Sequence, residues 1–175
     1  FGIKKNIELL SQAKNTEPKK LTACMLQRSR HDAIVKDLNE MGTKINFISD
    51  GDVSAVIGVA EPKTNIDIYV GIGGGPEGVL AAAALKCLGC QMQTRLVFQN
   101  TNEKNRAKSL GIKNLNKKYS IEDMVKGDVI FCATGVTDGD LVKGIKDLGD
   151  SFSSETLVLH ESSKTNKIIK NQVKK

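Results

Sequence analysis

The sequence predicts an α/β domain, a layered sheet flanked by helices, and three observations carry that prediction. Short apolar, often β-branched runs recur along the chain, and most are followed by a segment of helical period. The runs are continuous rather than alternating, which is the pattern of strands covered on both faces. Glycine- and acid-rich turns stand where runs end and helical segments begin, where open α/β sheets keep their ligand sites. Connections between such strands would be right-handed crossovers.

The elements follow in order. "FGIKKNIELLSQAKNTEPKK" reads as a lead-in helix and polar linker over residues 1–20, and an opening on Phe1 rather than Met leads us to expect an N-terminal domain upstream. "LTACML" (21–26) is the first strand, and His31 to Met41 the helix after it, with Asp32 complementing the dipole of its first turn. "INFIS" (45–49) leads to a helix over Val53 to Ala60. "IDIYVGI" (66–72) leads to a helix over Pro76 to Leu88, for which Gly75 is the N-cap, Pro76 takes N1 and Glu77 lies in the first turn. "RLVF" (95–98), helices over Glu103 to Leu110 and Ile121 to Val125, "VIFCA" (129–133), a helix over Asp140 to Ile145 and "TLVLH" (156–160) complete a domain spanning 21–163. "KTNKIIKNQVKK" is a basic tail over 164–175.

Composition bounds the function classes. A chain of 175 residues, 39% apolar and 26% charged, is that of one ordinary soluble domain. No apolar run is long enough to span a bilayer and no signal peptide opens the chain, so neither membrane nor export is expected and the default location is cytoplasmic. The net charge of +6 is spread along the chain, and with five Phe, two Tyr and no Trp no basic surface interleaved with stacking aromatics emerges, which excludes nucleic acid as the expected partner. A basic balance suits anionic small substrates. Cys87 and Cys90 form a C-x-x-C pair, but it closes an apolar helix instead of opening one, and no second pair offers zinc spacing. Buried free thiols in a reducing compartment are the expectation for these two, Cys24 and Cys132.

Three polar clusters stand at strand ends. Arg28, Ser29 and Arg30, after the first strand, can close on a phosphate through forked, charge-assisted hydrogen bonds, or else head a helix as solvated charges. His31 beside them reads as a capping or core histidine. Asp50, Gly51 and Asp52, after the second strand, suit paired sugar hydroxyls or a hard cation, or else form a turn with an aspartate N-cap. A calcium loop fails there because Ala55 occupies its sixth-position glycine and the interior is apolar. The third cluster, "GIGGGPEG" (71–78), satisfies G-x-G-x-x-G, but no acid follows about twenty residues on to hold a ribose, and Glu77 would repel a pyrophosphate. Its carboxylate, held ionised by the helix dipole, is a candidate ligand for Mg or Mn, or simply complements the dipole. In "ATGVTDGDL" (133–141), Asp138 and Asp140 read as structural caps.

Taken together, "RSRHD", "SDGDV", "GIGGGPEGVLAAAALKCLG" with "QMQTRL", and "FCATGVTDGDL" resemble, in order and from about Leu21 to Ser163, the C-terminal half of the class II, GlpX-type fructose-1,6-bisphosphatases. The resemblance implies the C-terminal domain of a metal-dependent sugar phosphatase of the inositol monophosphatase-like fold. It implies gluconeogenic hydrolysis of fructose 1,6-bisphosphate to fructose 6-phosphate and phosphate, with Mg or Mn activating the water, and a homo-oligomer when full length. Carried over by position, Glu77 resembles the family's metal-binding glutamate and Gly74 the glycine whose backbone faces the substrate. Asp50, Gly51 and Asp52 match the segment that contacts the sugar. Arg28, Ser29 and Arg30 match the segment holding the distal phosphate, where the family commonly has Lys, Pro and Arg. The family's other metal-binding acids and a substrate-facing tyrosine belong to an N-terminal domain, so the resemblance implies a chain nearly inactive and weakly stable alone. The alternatives are a non-catalytic sugar-phosphate-binding module, an enzyme acting also on sedoheptulose 1,7-bisphosphate, and, from the glycine pattern, a nucleotide-binding oxidoreductase.

Overall fold

The computed structural model describes residues 2–175. Helix α1 (Ile3–Ala13) is followed by strand β1 (Thr22–Leu26), α2 (Asp32–Glu40), β2 (Lys44–Ile48), α3 (Asp52–Gly58), β3 (Ile68–Tyr69) and α4 (Gly75–Leu88). After these come β4 (Gln93–Arg95), α5 (Thr101–Ser109), β5 (Lys118–Ser120), α6 (Ile121–Met124), β6 (Ile130–Thr134), β7 (Lys146–Asp147), β8 (Ser151–His160) and β9 (Thr165–Lys174).

The first half is the parallel α/β unit that its apolar runs predict. β1 is central, flanked by β2 and β3 with all three parallel; Ala23 lies opposite Ile45 on one side and Ile68 on the other. Ala23, Cys24 and Met25 are fully buried, so both faces of this strand are covered. Ile3 and Ile7 of α1 and Leu38 of α2 pack on Ala23 and Met25, while α3 contacts β1 from the remaining side. β2 is an edge strand, and Phe47 on it is exposed.

α4 occupies the middle of the molecule. Its Ala84 and Cys87 pack with Ile57 of α3 against Phe131 of β6 and Leu157 and Leu159 of β8, and its Ala81, Ala82 and Leu85 meet Val56 and Ile121. A helix with neighbours on several sides needs small side chains to keep interior packing density, which is why this one is alanine-rich instead of striped. The layers thus alternate: helices, parallel sheet, helices, second sheet.

That second sheet departs from the expectation of one parallel sheet. β6, β7 and β9 all pair antiparallel with β8, and β4 and β5 form a separate antiparallel pair. The lysine-rich segment from 164 onward is strand β9, paired along all of β8 from Ser151 opposite Lys174 to His160 opposite Thr165. Ladder hydrogen bonds hold it, aided by ion pairs from Lys170 to Glu155 (3.2 Å) and Lys175 to Asp147 (2.8 Å), so no apolar run was there to reveal it. The expected helix over Asp140 to Ile145 is a compact loop. A side chain at Gly144 would meet the Thr137 backbone at 2.5–2.7 Å, and the Gly144 N–H donates to Asp138 Oδ1 at 2.8 Å, so the chain crosses itself where the helix would run. "RLVF" contributes only Arg95 to a strand, because β4 ends there and Leu96 and Val97 are exposed. Cys24 and Cys87 are buried, with burial pushing both thiols up, whereas Cys132 is exposed, against the expectation for it.

The β8–β9 turn is locked by a side-chain cluster. His160 Nε2 donates to Asp128 Oδ2 at 2.8 Å, Ser162 donates from both Oγ (2.8 Å) and N (3.1 Å) to the same carboxylate, and Ser163 Oγ lies 2.8 Å from His160 Nδ1. The His160 and Ser162 bonds hold the Asp128 carboxyl below its ordinary 3.8, at about 2. A carboxyl whose folded value is depressed stabilises the fold above the ordinary value and loses that contribution as the pH falls through the folded one. The melting temperature of the native protein should therefore exceed that of Asp128→Asn at pH 7, and the gap should close between about pH 4 and 2. A gap that persists unchanged at pH 2 would contradict this.

Candidate active site at the ends of the parallel strands

The C-terminal ends of β1, β2 and β3 bring the three polar clusters to one edge of the parallel sheet, because parallel neighbours end on the same side. After β1 the chain makes a short turn, Ser29–His31, before α2. After β2 it turns through Gly51, whose φ of +80° places it in the left-handed region as the N-cap of α3. After β3 it runs extended through residues 71–74 into α4, whose first turn carries Pro76 and Glu77.

The glycine loop is held at Ile72 by two side chains from the end of β1. His31, fully buried, lies 2.8 Å through Nδ1 from the Leu26 carbonyl and accepts the Ile72 N–H at Nε2 (2.9 Å), so Nδ1 carries the proton and the ring ties the end of β1 to the loop. This is the core histidine that the sequence suggests. Arg30 Nε donates to the Ile72 carbonyl at 2.6 Å, leaving its two terminal nitrogens for an incoming anion. Arg28 instead spends its terminal nitrogens on the backbone, donating to the carbonyls of Gln27 and Ser49, both at 2.8 Å, and so joins the ends of β1 and β2. Ser29 is exposed between them.

The absence of side chains on the loop admits carboxylates and a phenol to its backbone. A Cβ at Gly71 would stand 3.2 Å from the Tyr69 hydroxyl, one at Gly73 3.7 Å from Asp52 Oδ2, and one at Gly74 would overlap a carboxylate oxygen of Glu77. Asp50 and Asp52 each accept the N–H of the following residue, at 2.8 and 2.9 Å. Glu77 is exposed and makes no ion pair or side-chain hydrogen bond among the described residues. Asp52, Tyr69, Gly73, Gly74 and Glu77 line a groove of about 470 Å³, together with apolar Val56, Leu85 and Met92 and with polar Asp67, Gln93 and Thr94.

Of the residues expected from the sequence, Asp52, Gly74 and Glu77 line the groove, whereas Arg28, Ser29, Arg30, Asp50 and Gly51 do not. Tyr69 is the groove residue that sequence reading missed. Burial, and next the Asp52 charge, push its phenol up to about 12, so it enters the groove as a neutral donor. Its signal was local: a strand tyrosine two positions before a glycine on the same side. Asp138, capping Gly144, remains structural, as expected.

The donor set favours hard cations. Glu77 and Asp52 supply carboxylate oxygens, but among the described residues no three His, Cys, Asp or Glu side chains converge as a metal cage. A cation held here would complete its shell from water, phosphate oxygens or other protein groups. No helix among the described residues is long and apolar enough to cross a membrane.

Comparison with known proteins bears on this edge of the sheet. The family model described as "Bacterial fructose-1,6-bisphosphatase, glpX-encoded" matches residues 2–173. A "Fructose-1,6-bisphosphatase class 2" of Haemophilus influenzae is 40% identical over 159 residues, covering 83% of this chain and 47% of that protein. A "D-fructose 1,6-bisphosphatase class 2/sedoheptulose 1,7-bisphosphatase" of Synechococcus sp. is 34% identical over 174 residues, covering 92% of this chain and 50% of that protein. A relative so named from Acaryochloris marina, with a further 2 in its name, is also 34% identical, over 177 residues, with 94% and 51% covered. The chain spans about half the length of the curated relatives it matches.

Proposed function

The chain belongs to the GlpX-type fructose-1,6-bisphosphatase family, and from that membership together with the strand-end geometry we propose that it forms the substrate-binding half of a fructose-1,6-bisphosphatase site. The observation that carries this reading is the convergence around one glycine loop of an arginine with free terminal nitrogens, an exposed and a half-buried turn aspartate, Asp50 and Asp52, and an unpaired glutamate.

Each residue has a role its chemistry suits. Arg30 binds the distal phosphate in a fork, its Nε anchored on Ile72 so that the guanidinium is already oriented. Arg28 and Ser29 frame that phosphate, Arg28 chiefly by fixing the turn through its bonds to Gln27 and Ser49. Asp50 and Asp52, set apart by the left-handed Gly51, accept hydrogen bonds from sugar hydroxyls. Gly74 brings the backbone against the reacting phosphate, and Glu77 would contribute one ligand to a Mg or Mn ion, since among the described residues no three acidic, His or Cys side chains converge to hold one. Such an ion neutralises phosphoryl charge and lowers the pKa of the attacking water.

The alternation of helical and sheet layers supports the inositol monophosphatase-like assignment, its C-terminal domain then running past the expected 163 to include β9, with α1 packed onto it. Cleavage of sedoheptulose 1,7-bisphosphate is the second reading, favoured by the names of two of the relatives. The complete gene product, assayed for phosphate release from fructose 1,6-bisphosphate with Mg or Mn, tests the proposal; no release overturns it. In the same assay Arg30→Ala should raise KM about tenfold and change kcat less than about threefold. An unchanged KM removes Arg30 from the phosphate site.

A further inference from the structure

We propose that Tyr69 is a specificity-determining residue of this site, its phenol donating a hydrogen bond to a sugar hydroxyl while Asp52 accepts one from the neighbouring hydroxyl. The inference rests on the sugar-bisphosphatase reading above and deepens it by assigning the group that recognises the sugar.

Tyr69 adds a neutral donor beside carboxylates that only accept. Asp52 and Glu77, carboxylates lining the groove, only accept hydrogen bonds when ionised, and the loop N–H of Ile72 is already spent on His31. A sugar hydroxyl set against those two carboxylates leaves its own lone pairs unmatched, and the Tyr69 O–H can supply a bond to one of them. Tyr69 lines the same groove, its ring lies against Gly71, and its hydroxyl makes no hydrogen bond among the described residues. Both Asp52 and Arg30 are near enough for their charges to act on the phenol. The raised ionisation of the phenol keeps its proton in place throughout the neutral range, which is what a donor needs. One donor and one acceptor lining the same groove can read two hydroxyls of a sugar, whereas a phosphate ester lacking them gains nothing from the pair.

Gly71 supports the same assignment. A Cβ there would sit 3.2–3.3 Å from the hydroxyl and ring edge of Tyr69, so the bare backbone lets the ring lie flat along the loop with its hydroxyl at the groove.

The test compares Tyr69→Phe with the unaltered complete gene product on two substrates, fructose 1,6-bisphosphate and p-nitrophenyl phosphate, with melting temperature recorded alongside. The expected result is a KM for the sugar bisphosphate raised about 5- to 10-fold with kcat within about twofold, and kcat/KM for the aryl phosphate unchanged within about twofold. An unchanged KM for the sugar bisphosphate overturns the assignment of Tyr69 alone, as does an equal loss on both substrates, which would mark a purely structural role. If the unaltered protein releases no phosphate from the sugar bisphosphate, the functional reading and this inference fall together.

Discussion

Glu77→Gln is expected to lower kcat/KM for fructose 1,6-bisphosphate by about 100-fold or more in the complete gene product, a loss of about 2.7 kcal/mol of transition-state stabilisation. The substitution keeps the shape of the side chain. That matters because the carboxylate rests on Gly74, so a different shape would disturb the loop as well as the charge. Glutamine in the first turn of α4 also leaves Pro76 at the helix start undisturbed, and only the favourable interaction of a negative charge with the helix dipole is lost, about 0.3–1 kcal/mol at an exposed position. Stability should therefore fall little while activity falls greatly, and the metal concentration giving half-maximal rate should rise. An activity within about threefold of the original would show that Glu77 serves only the helix dipole.

His31→Ala should destabilise the fold by about 2–4 kcal/mol, combining the loss of a fully buried ring with two orphaned backbone groups, the Leu26 carbonyl and the Ile72 N–H. The cost propagates to the site, since His31 and Arg30 hold Ile72 by its two opposite backbone groups. Released on one side, the loop that positions Gly73, Gly74 and Glu77 loses its fixed distance from Arg30. The expected outcome is a lower urea midpoint together with a raised KM for the sugar bisphosphate. Destabilisation below about 1 kcal/mol would mean that water replaces the imidazole and that the ring is no anchor.

Much of the first half of the molecule was legible in the sequence, because local rules and tertiary context agree there. β1 and β2 lie within a residue of "LTACML" and "INFIS", and α4 ends at Leu88 as expected but begins one residue earlier than expected, with Gly74 instead of Gly75 at the N-cap and Gly75 in its first turn. β3 is shorter than its apolar run, since only Ile68 and Tyr69 form ladder pairs with β1 before the chain leaves for the glycine loop. The second half was less legible for reasons of register and long-range pairing. β9 owes its existence to β8 and to paired lysines, not to apolar content of its own. The Asp140–Ile145 segment has helix-compatible residues, but the crossing at Gly135 and Gly144 leaves the loop no room to wind.

The candidate site divides in the same way. Which turns carry polar clusters could be read from composition, and the strand-end rule places them together. What each side chain does once there could not. Arg28 and Arg30 look equivalent as letters, yet one spends its terminal nitrogens on backbone carbonyls and the other keeps them available. Tyr69 looked like an ordinary strand residue because the charges that act on it, Asp52 and Arg30, come from other strand ends.

The central claim is that the ends of β1, β2 and β3 form one sugar-phosphate site around the glycine loop. Amide shift mapping of the isotope-labelled protein, titrated with fructose 1,6-bisphosphate in the presence of Mg, tests it most directly. The account predicts that the largest shifts fall on Arg28–His31, Asp50–Val53 and Tyr69–Glu77, with the β8–β9 hairpin unmoved. Shifts confined to β6–β9, or a glycine loop that stays silent at saturating ligand, would contradict it.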